Sequence, residues 1–195
     1  MWLFYNYQKF KLNPVNLNDL TMSKAALFLI LISSFSYSQS YEQLMGYSRF
    51  YNKKIDSFIG YMKNQPAVSS SNNGIQQMVY EMDGFHIGIE EHPSKNGTIG
   101  EMFIFQTVAK DAYSDWLKIY KKINNDRSFK FIKGMYDDSD IKHNELGLEH
   151  LLILLKKNDN KDEARYGARY KKDLAYYTLS VIDNSMVLTI DSKNY

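Results

Sequence analysis

The sequence predicts an α+β fold: a largely antiparallel sheet of hairpins and a C-terminal meander, with two amphipathic helices packed on one side. Three observations lead there. Apolar residues recur at spacings of three and four over Tyr41 to Asn64 and again over Asp111 to Asn124. Apolar and polar residues alternate on both sides of Asp83-Gly84. The C-terminal part alternates in the same way around Asp183, Asn184 and Ser185.

That domain is preceded by an export leader. From Met22 the chain has a short polar end with Lys24, the apolar run Ala25 to Ile32, and then Ser33 to Ser38. Ser36-Tyr37-Ser38 is a small-x-small pattern that suits cleavage before Gln39, so residues 22–39 are predicted to be a signal peptide. A membrane span needs about 20 apolar residues, and serines and a tyrosine dilute this run after Ile32. Met1 to Thr21, which contains Pro14 and keeps no period, is set aside as a mis-assigned start or a leader extension. Residues 40–195 remain as one domain of roughly 150 residues, long enough to bury about 70% of its unfolded surface.

Charge and cysteine content narrow the chemistry. The chain has 24 basic and 22 acidic side chains; three of the former (Lys9, Lys11, Lys24) and one of the latter (Asp19) precede residue 40, so the remainder is balanced. A balanced chain lacks the basic stripe by which nucleic-acid binding shows itself. With no cysteine, disulfides, a thiol nucleophile, a thiolate metal site and a lipid-bearing cysteine are all excluded.

Taken in order, the first helix has Leu44, Tyr47, Tyr51, Ile55, Phe58, Ile59 and Met62 on its inner stripe. Gln65-Pro66 ends it, and Ser69 to Gly74 is predicted to be a loop. Asp83-Gly84 supplies the positive φ angles of a two-residue hairpin joining Ile75 to Met82 with Phe85 to His92. The register follows: Met82 faces Phe85, Tyr80 faces Ile87 and Met78 faces Ile89, all on one side. On the other side Glu81 faces His86, Val79 faces Gly88, Gln77 faces Glu90 and Ile75 faces His92. Pro93 to Gly97 is a turn, and Thr98 to Val108 has apolar bulk on both faces, as in a central strand covered on both sides. The second helix buries Ala112, Trp116, Ile119, Tyr120 and Ile123. Ser128 to Tyr136 is a strand in which Phe129, Phe131 and Met135 alternate with Lys130, Ile132 and Gly134. Leu148 to Lys157 fits a buried strand or a short helix; the turn-like Asn158-Asp159-Asn160 after it favours strand.

Two metal motifs fail on geometry. His86, Glu90 and His92 share one side of a strand, but residues two apart lie about 6.6 Å apart and residues six apart about 20 Å, whereas zinc holds its ligands at about 2 Å. A calcium loop counted from Asp138 has Lys142 in its fifth position and His143 where glycine is required. His143 and His150 are about 10 Å apart on any helix. Nucleophile-elbow, phosphate-loop, dinucleotide and zincin motifs do not occur, and no cofactor is expected.

One constellation stands out. A four-residue connection from Lys171 to Leu174 pairs Tyr170 with Ala175, Ala168 with Tyr177 and Tyr166 with Leu179. It places Arg165, Gly167, Arg169, Tyr176, Thr178, Ser180 and Thr189 on the opposite face. Two arginines on one strand side can fork onto a carboxylate or phosphate, Gly167 permits close approach, and tyrosine and hydroxyl neighbours can orient a polar ligand. Arg165, Gly167, Arg169, Tyr176 and Thr178 are the candidate ligand-binding residues. The same face is also what the wet side of an antiparallel sheet looks like. The functional expectation is a small exported, non-enzymatic binding or accessory protein, periplasmic or secreted, whose partner is a protein or small anion and not nucleic acid. The alternatives are a cysteine-free, metal-free extracytoplasmic enzyme such as a hydrolase, and an accessory domain tethered to the membrane through an uncleaved leader.

Overall fold

A computed structural model describes residues 40–106, 111–138, 141–157 and 164–193; the predicted signal peptide and the segment before it lie outside these. The described residues form a mixed α+β fold. In chain order the elements are α1 (Tyr41–Ser48), α2 (Ile55–Met62), β1 (Val68–Asn72), β2 (Ile75–Met82), β3 (Phe85–Glu91), β4 (Ile99–Gln106), α3 (Ala112–Asn125), β5 (Lys130–Asp137), β6 (Lys142–Leu146), α4 (Leu148–Lys157), β7 (Arg165–Lys172), β8 (Ala175–Ile182) and β9 (Ser185–Asp191). The strands make one nine-stranded sheet in the order β1-β2-β3-β4-β9-β8-β7-β5-β6, and the pairings are antiparallel.

The Asp83-Gly84 hairpin has the expected register, with Met78 against Ile89, Tyr80 against Ile87 and Met82 against Phe85. Ile75 does not reach His92. The β3–β4 register shifts between Glu90 and Glu91, and the Glu91 carboxylate turns to accept the amides of Gln76 and Gly97. The C-terminal hairpin turns at Asp183-Asn184, both with positive φ, and buries Tyr177, Leu179, Val181, Leu188 and Ile190 together.

Several expectations are corrected. The helix predicted over Tyr41 to Asn64 is two helices. Between them Asn52 takes a left-handed φ of 58°, and the backbone bonds to the start of β4: Asn52 N–H to Ile99 C=O at 3.0 Å, Ile99 N–H to Lys53 C=O at 2.9 Å, and Ile55 N–H to Gly97 C=O at 2.9 Å. Those long-range bonds compete successfully with continued helix, while the apolar stripe survives on both pieces, with Leu44, Ile55, Phe58 and Met62 buried. The predicted loop at Ser69 to Gly74 contains an edge strand, β1, joined to β2 through Asn73-Gly74. Leu148 to Lys157 is helix rather than strand. Leu151 and Leu155, four apart, are its buried pair, and Glu149 and Lys156-Lys157 sit at the ends the helix dipole favours.

Strand β5 carries a register shift between Phe131 and Lys133, which changes which residues face inward. Phe131 remains against Tyr170, but after the shift Gly134 and Tyr136 are buried and Met135 lies opposite Gly167 on the other face. On β4 Ile99, Met102, Ile104 and Gln106 are buried, whereas Phe103 and Phe105, on the other face, are half-buried. The β7–β8 turn is the two-residue Asp173-Leu174, so Tyr170 faces Tyr177, Ala168 faces Leu179 and Tyr166 faces Val181. This is two residues away from the predicted pairing, and an even shift leaves every side chain on its predicted face.

One hydrophobic cluster joins the helices to the sheet. Trp116 of α3 is fully buried; its indole N–H donates to the Leu179 carbonyl at 3.0 Å, and its ring stacks on Tyr120 and meets Tyr166 edge-on. Phe58 of α2 meets Tyr80, and Tyr47 of α1 meets Phe85. Ser40 and Gln43 form a capping box at the start of α1. The Tyr41 hydroxyl donates to Asp126 at 2.9 Å, tying α1 to the end of α3. Bonds from the Ser128 hydroxyl, the Ser128 amide and Tyr41 hold the Asp126 carboxyl down to about 2. Burial first, then the bond to Asp126, pushes Tyr41 up to about 12.

Helix α4 docks where β5 has no side chain: a Cβ on Gly134 would lie 3.1 Å from Leu151 Cβ and 3.3 Å from Leu146 Cβ. Gly134→Val should therefore destabilise the fold by about 1–3 kcal/mol through overpacking, read as a lower midpoint in urea with an unchanged slope. Because the folded Asp126 pKa is depressed, its contribution is complete above the unfolded value of roughly 4 and is lost as pH falls through about 2. The stability difference between wild type and Asp126→Asn should hold near neutrality and shrink across that acid window.

Candidate functional site

The predicted constellation lies on the face of β7, β8 and β9 opposite Tyr166, Ala168, Tyr170 and Leu179. Cross-strand pairing sets Arg169 beside Thr178, Thr178 beside Thr189, Gly167 beside Ser180, and Lys171 beside Tyr176. Sequence alternation is enough to bring these residues to one face. It does not bring the two guanidinium groups to one point.

Arg169 is buried, at 5% exposure. It donates to Thr178 Oγ1 at 2.5 Å, to Asp191 Oδ1 at 2.9 Å and to the Lys193 carbonyl. Its guanidinium carbon stands 4.9 Å from the centre of the Tyr176 ring, a cation–π distance, with Lys171 Nζ at 5.5 Å from the same ring. Asp191 is equally buried and also accepts the Lys193 amide at 2.8 Å. A buried charge stays charged only when paired and hydrogen-bonded, and this pair is both.

Arg165 is placed differently. It pairs with Asp183 at the β8–β9 turn at 3.2 Å, and the two side chains are 61% and 64% exposed. Gly167 is explained by packing: a Cβ there would sit 2.9 Å from Ser180 Cβ. The close approach it permits is that of β8. Asp183 and Asp191 were missed from sequence. Asp191 lies two residues beyond Thr189, hence on the same face, but its match to Arg169 depends on the registers of β7, β8 and β9 together.

Elsewhere on this face, His86 meets the edge of Phe105 with ring centres 5.0 Å apart. Burial lowers its imidazole pKa, against the opposing pull of Glu81. Glu90 accepts from Gln77 Nε2 at 2.7 Å. Glu101 pairs with Lys193 at 3.1 Å, yet burial raises its carboxyl, the lysine opposing. Among the described residues no group of three or more His, Asp or Glu side chains is placed to hold a metal ion. No described helix is long and apolar enough to cross a membrane.

No family model matches the chain, and no curated protein matches it. A solved structure that it resembles is that of a cysteine-rich secretory protein from Staphylococcus aureus subsp. aureus Mu50, with a TM-score of 0.38 and 8% sequence identity. The match covers 74% of this chain and 45% of that one, so the chain spans less than half of that protein's length.

The two arginines differ in what their partners contribute. Asp191→Ala leaves Arg169 buried without its carboxylate and should cost about 3–5 kcal/mol. Asp183→Ala removes an exposed pair and should cost less than about 1 kcal/mol. Urea unfolding of the two variants checks the contrast; equal losses would contradict it.

Proposed function

We propose that this chain is an exported, non-enzymatic binding or accessory protein, released after leader cleavage before Gln39. In this proposal its helices keep to one side of a sheet of hairpins and a C-terminal meander, and recognition falls to the exposed rim of the other side at Arg165. The observation that carries the proposal is the division of labour between the two arginines. Arg169, Thr178, Tyr176 and Asp191 form a fixed polar platform within the sheet. Arg165 stands at its rim, where, among the described residues, its charge is met by the exposed Asp183. An exposed ion pair is worth about 0–1 kcal/mol, so an incoming carboxylate or phosphate can replace Asp183 at little cost. A rigid strand that presents an exchangeable guanidinium suits recognition of an anionic group on a partner or small ligand.

Two measurements test this. The intact mass of the protein recovered from its native host should correspond to a chain starting at Gln39; the full-length mass in a cytosolic fraction would contradict export. Titration with inorganic phosphate should show Arg165→Ala weakening binding by about 1.5–3 kcal/mol, the worth of a hydrogen bond to a charged group. Equal binding by both proteins would remove Arg165 from the site.

A further inference from the structure

We infer that the β7–β8 turn is a docking tip for an anionic lipid surface: Leu174 enters the membrane interface while Lys171, Lys172, Lys130 and Arg127 meet the headgroups. Arg165 stands at the other end of β7, about 20 Å away at ~3.3 Å per residue, so the inference does not rest on the anion site proposed there.

Leu174 is 83% exposed, whereas Tyr61, Val68, Ile132, Ile141 and Ile153 lie between 36% and 46%. Its position is as unusual as its exposure. Three other two-residue turns of the sheet carry Asn73-Gly74, Asp83-Gly84 and Asp183-Asn184, residue types that turns favour for backbone reasons. Leucine supplies none of those reasons, and at this exposure it supplies almost no packing. A single exposed apolar side chain is ordinary; one at the tip of a turn and ringed by cations is a different arrangement.

Lys130 on β5 lies directly opposite Lys171 on β7, a like-charge pairing that is destabilising across strands. Lys171 Nζ stands 5.5 Å from the centre of the Tyr176 ring and Lys172 Nζ 4.6 Å from that of Phe129. These cation–π contacts hold both ammonium groups beside the turn. Arg127 belongs to the loop that leads to Phe129, and Arg127, Lys130 and Lys171 are exposed. Among the described residues none of the four cations makes an ion pair. Of the carboxylates nearby, Asp126 accepts from Tyr41 and Ser128, Glu42 is matched by Lys122, and Glu101 by Lys193. That leaves Asp173, in the turn itself, against four positive charges.

A convex tip suits a lipid surface better than a folded partner. A standard protein interface covers about 800 Å² on each side, and one protruding leucine flanked by flexible lysines presents no such area. A bilayer asks only for an apolar group that enters its interface and basic groups at headgroup level, and binding strengthens with both. The apolar stems of the lysines can follow Leu174 inward while their ammonium groups stay with the phosphates.

Flotation of the full chain with vesicles tests this. Phosphatidylcholine vesicles containing about one-third phosphatidylglycerol should carry the protein at low ionic strength and release it in about 0.5 M salt, where screening sets in within roughly 4 Å. Vesicles of phosphatidylcholine alone should bind about tenfold more weakly or less. Leu174→Asn suits the turn and removes no buried group; it should keep the wild-type unfolding midpoint yet lose about tenfold in affinity for the charged vesicles, as should Lys171→Glu/Lys172→Glu. Leu174→Trp should show, over the wild-type signal, emission that shifts to the blue and is quenched by brominated lipid, a local readout that no other part of the chain gives. Undiminished vesicle binding by Leu174→Asn, a tryptophan at 174 that stays in water, or equal binding to neutral and charged vesicles would overturn the inference. So would a wild-type chain that binds soluble polyglutamate but not the charged vesicles, since the tip would then serve an acidic protein, and so would one that binds neither. Phosphate binding at Arg165 and the start of the mature chain are measured separately, so either reading can fail alone.

Discussion

Two-residue turns join β1 to β2, β2 to β3, β7 to β8 and β8 to β9, at Asn73-Gly74, Asp83-Gly84, Asp173-Leu174 and Asp183-Asn184. Every other feature of the molecule depends on the parity they impose. A slip of one residue at any of them would exchange the two faces of a strand. Tyr80, Ile87, Ala168, Leu179 and Leu188, which are fully buried, would then meet solvent, at about 1.5–3 kcal/mol for each large side chain. Positive φ at six of the eight turn positions holds the parity in place; Asp83 and Leu174 are the exceptions, and Leu174 is 83% exposed.

Given that parity, the two faces acquire different chemistry. One receives Trp116, Phe58, Tyr47 and Leu151 from the helices and becomes the core. The other collects Arg169, Thr178 and Asp191 into a buried ionic network. A charged network inside a sheet contributes little net stability when intact, yet losing either member is costly. It therefore specifies one register more than it strengthens the fold.

Local signals were legible where a short segment determined its own geometry. The Asp83-Gly84 hairpin, the buried face of the C-terminal hairpin and the α3 stripe from Ala112 to Ile123 all follow from neighbouring residues. The rest depended on distant ones. The break in the first helix comes from bonds to Gly97 and Ile99. The serines of β1 have no apolar alternation, and their pairing is with β2, although Asn73-Gly74 was itself a hairpin signal. Five consecutive apolar residues at Leu151 to Leu155 satisfy strand and helix alike, and the gap over Gly134 decides for helix. The candidate site was legible as a face but not as a network, because the match between Arg169 and Asp191 spans three strands.

The β7–β8 register is the most direct test of this account, since the chemistry of both faces depends on it. In a nuclear Overhauser spectrum of the folded protein, cross-strand contacts should link Ala168 with Leu179 and Tyr170 with Tyr177. Contacts that set Ala168 directly opposite Thr178 or Ser180 would mean an odd slip that turns Arg169 toward the core, and contacts that set it opposite Tyr177 would move Arg169 from Thr178 to Tyr176; either result would contradict the account.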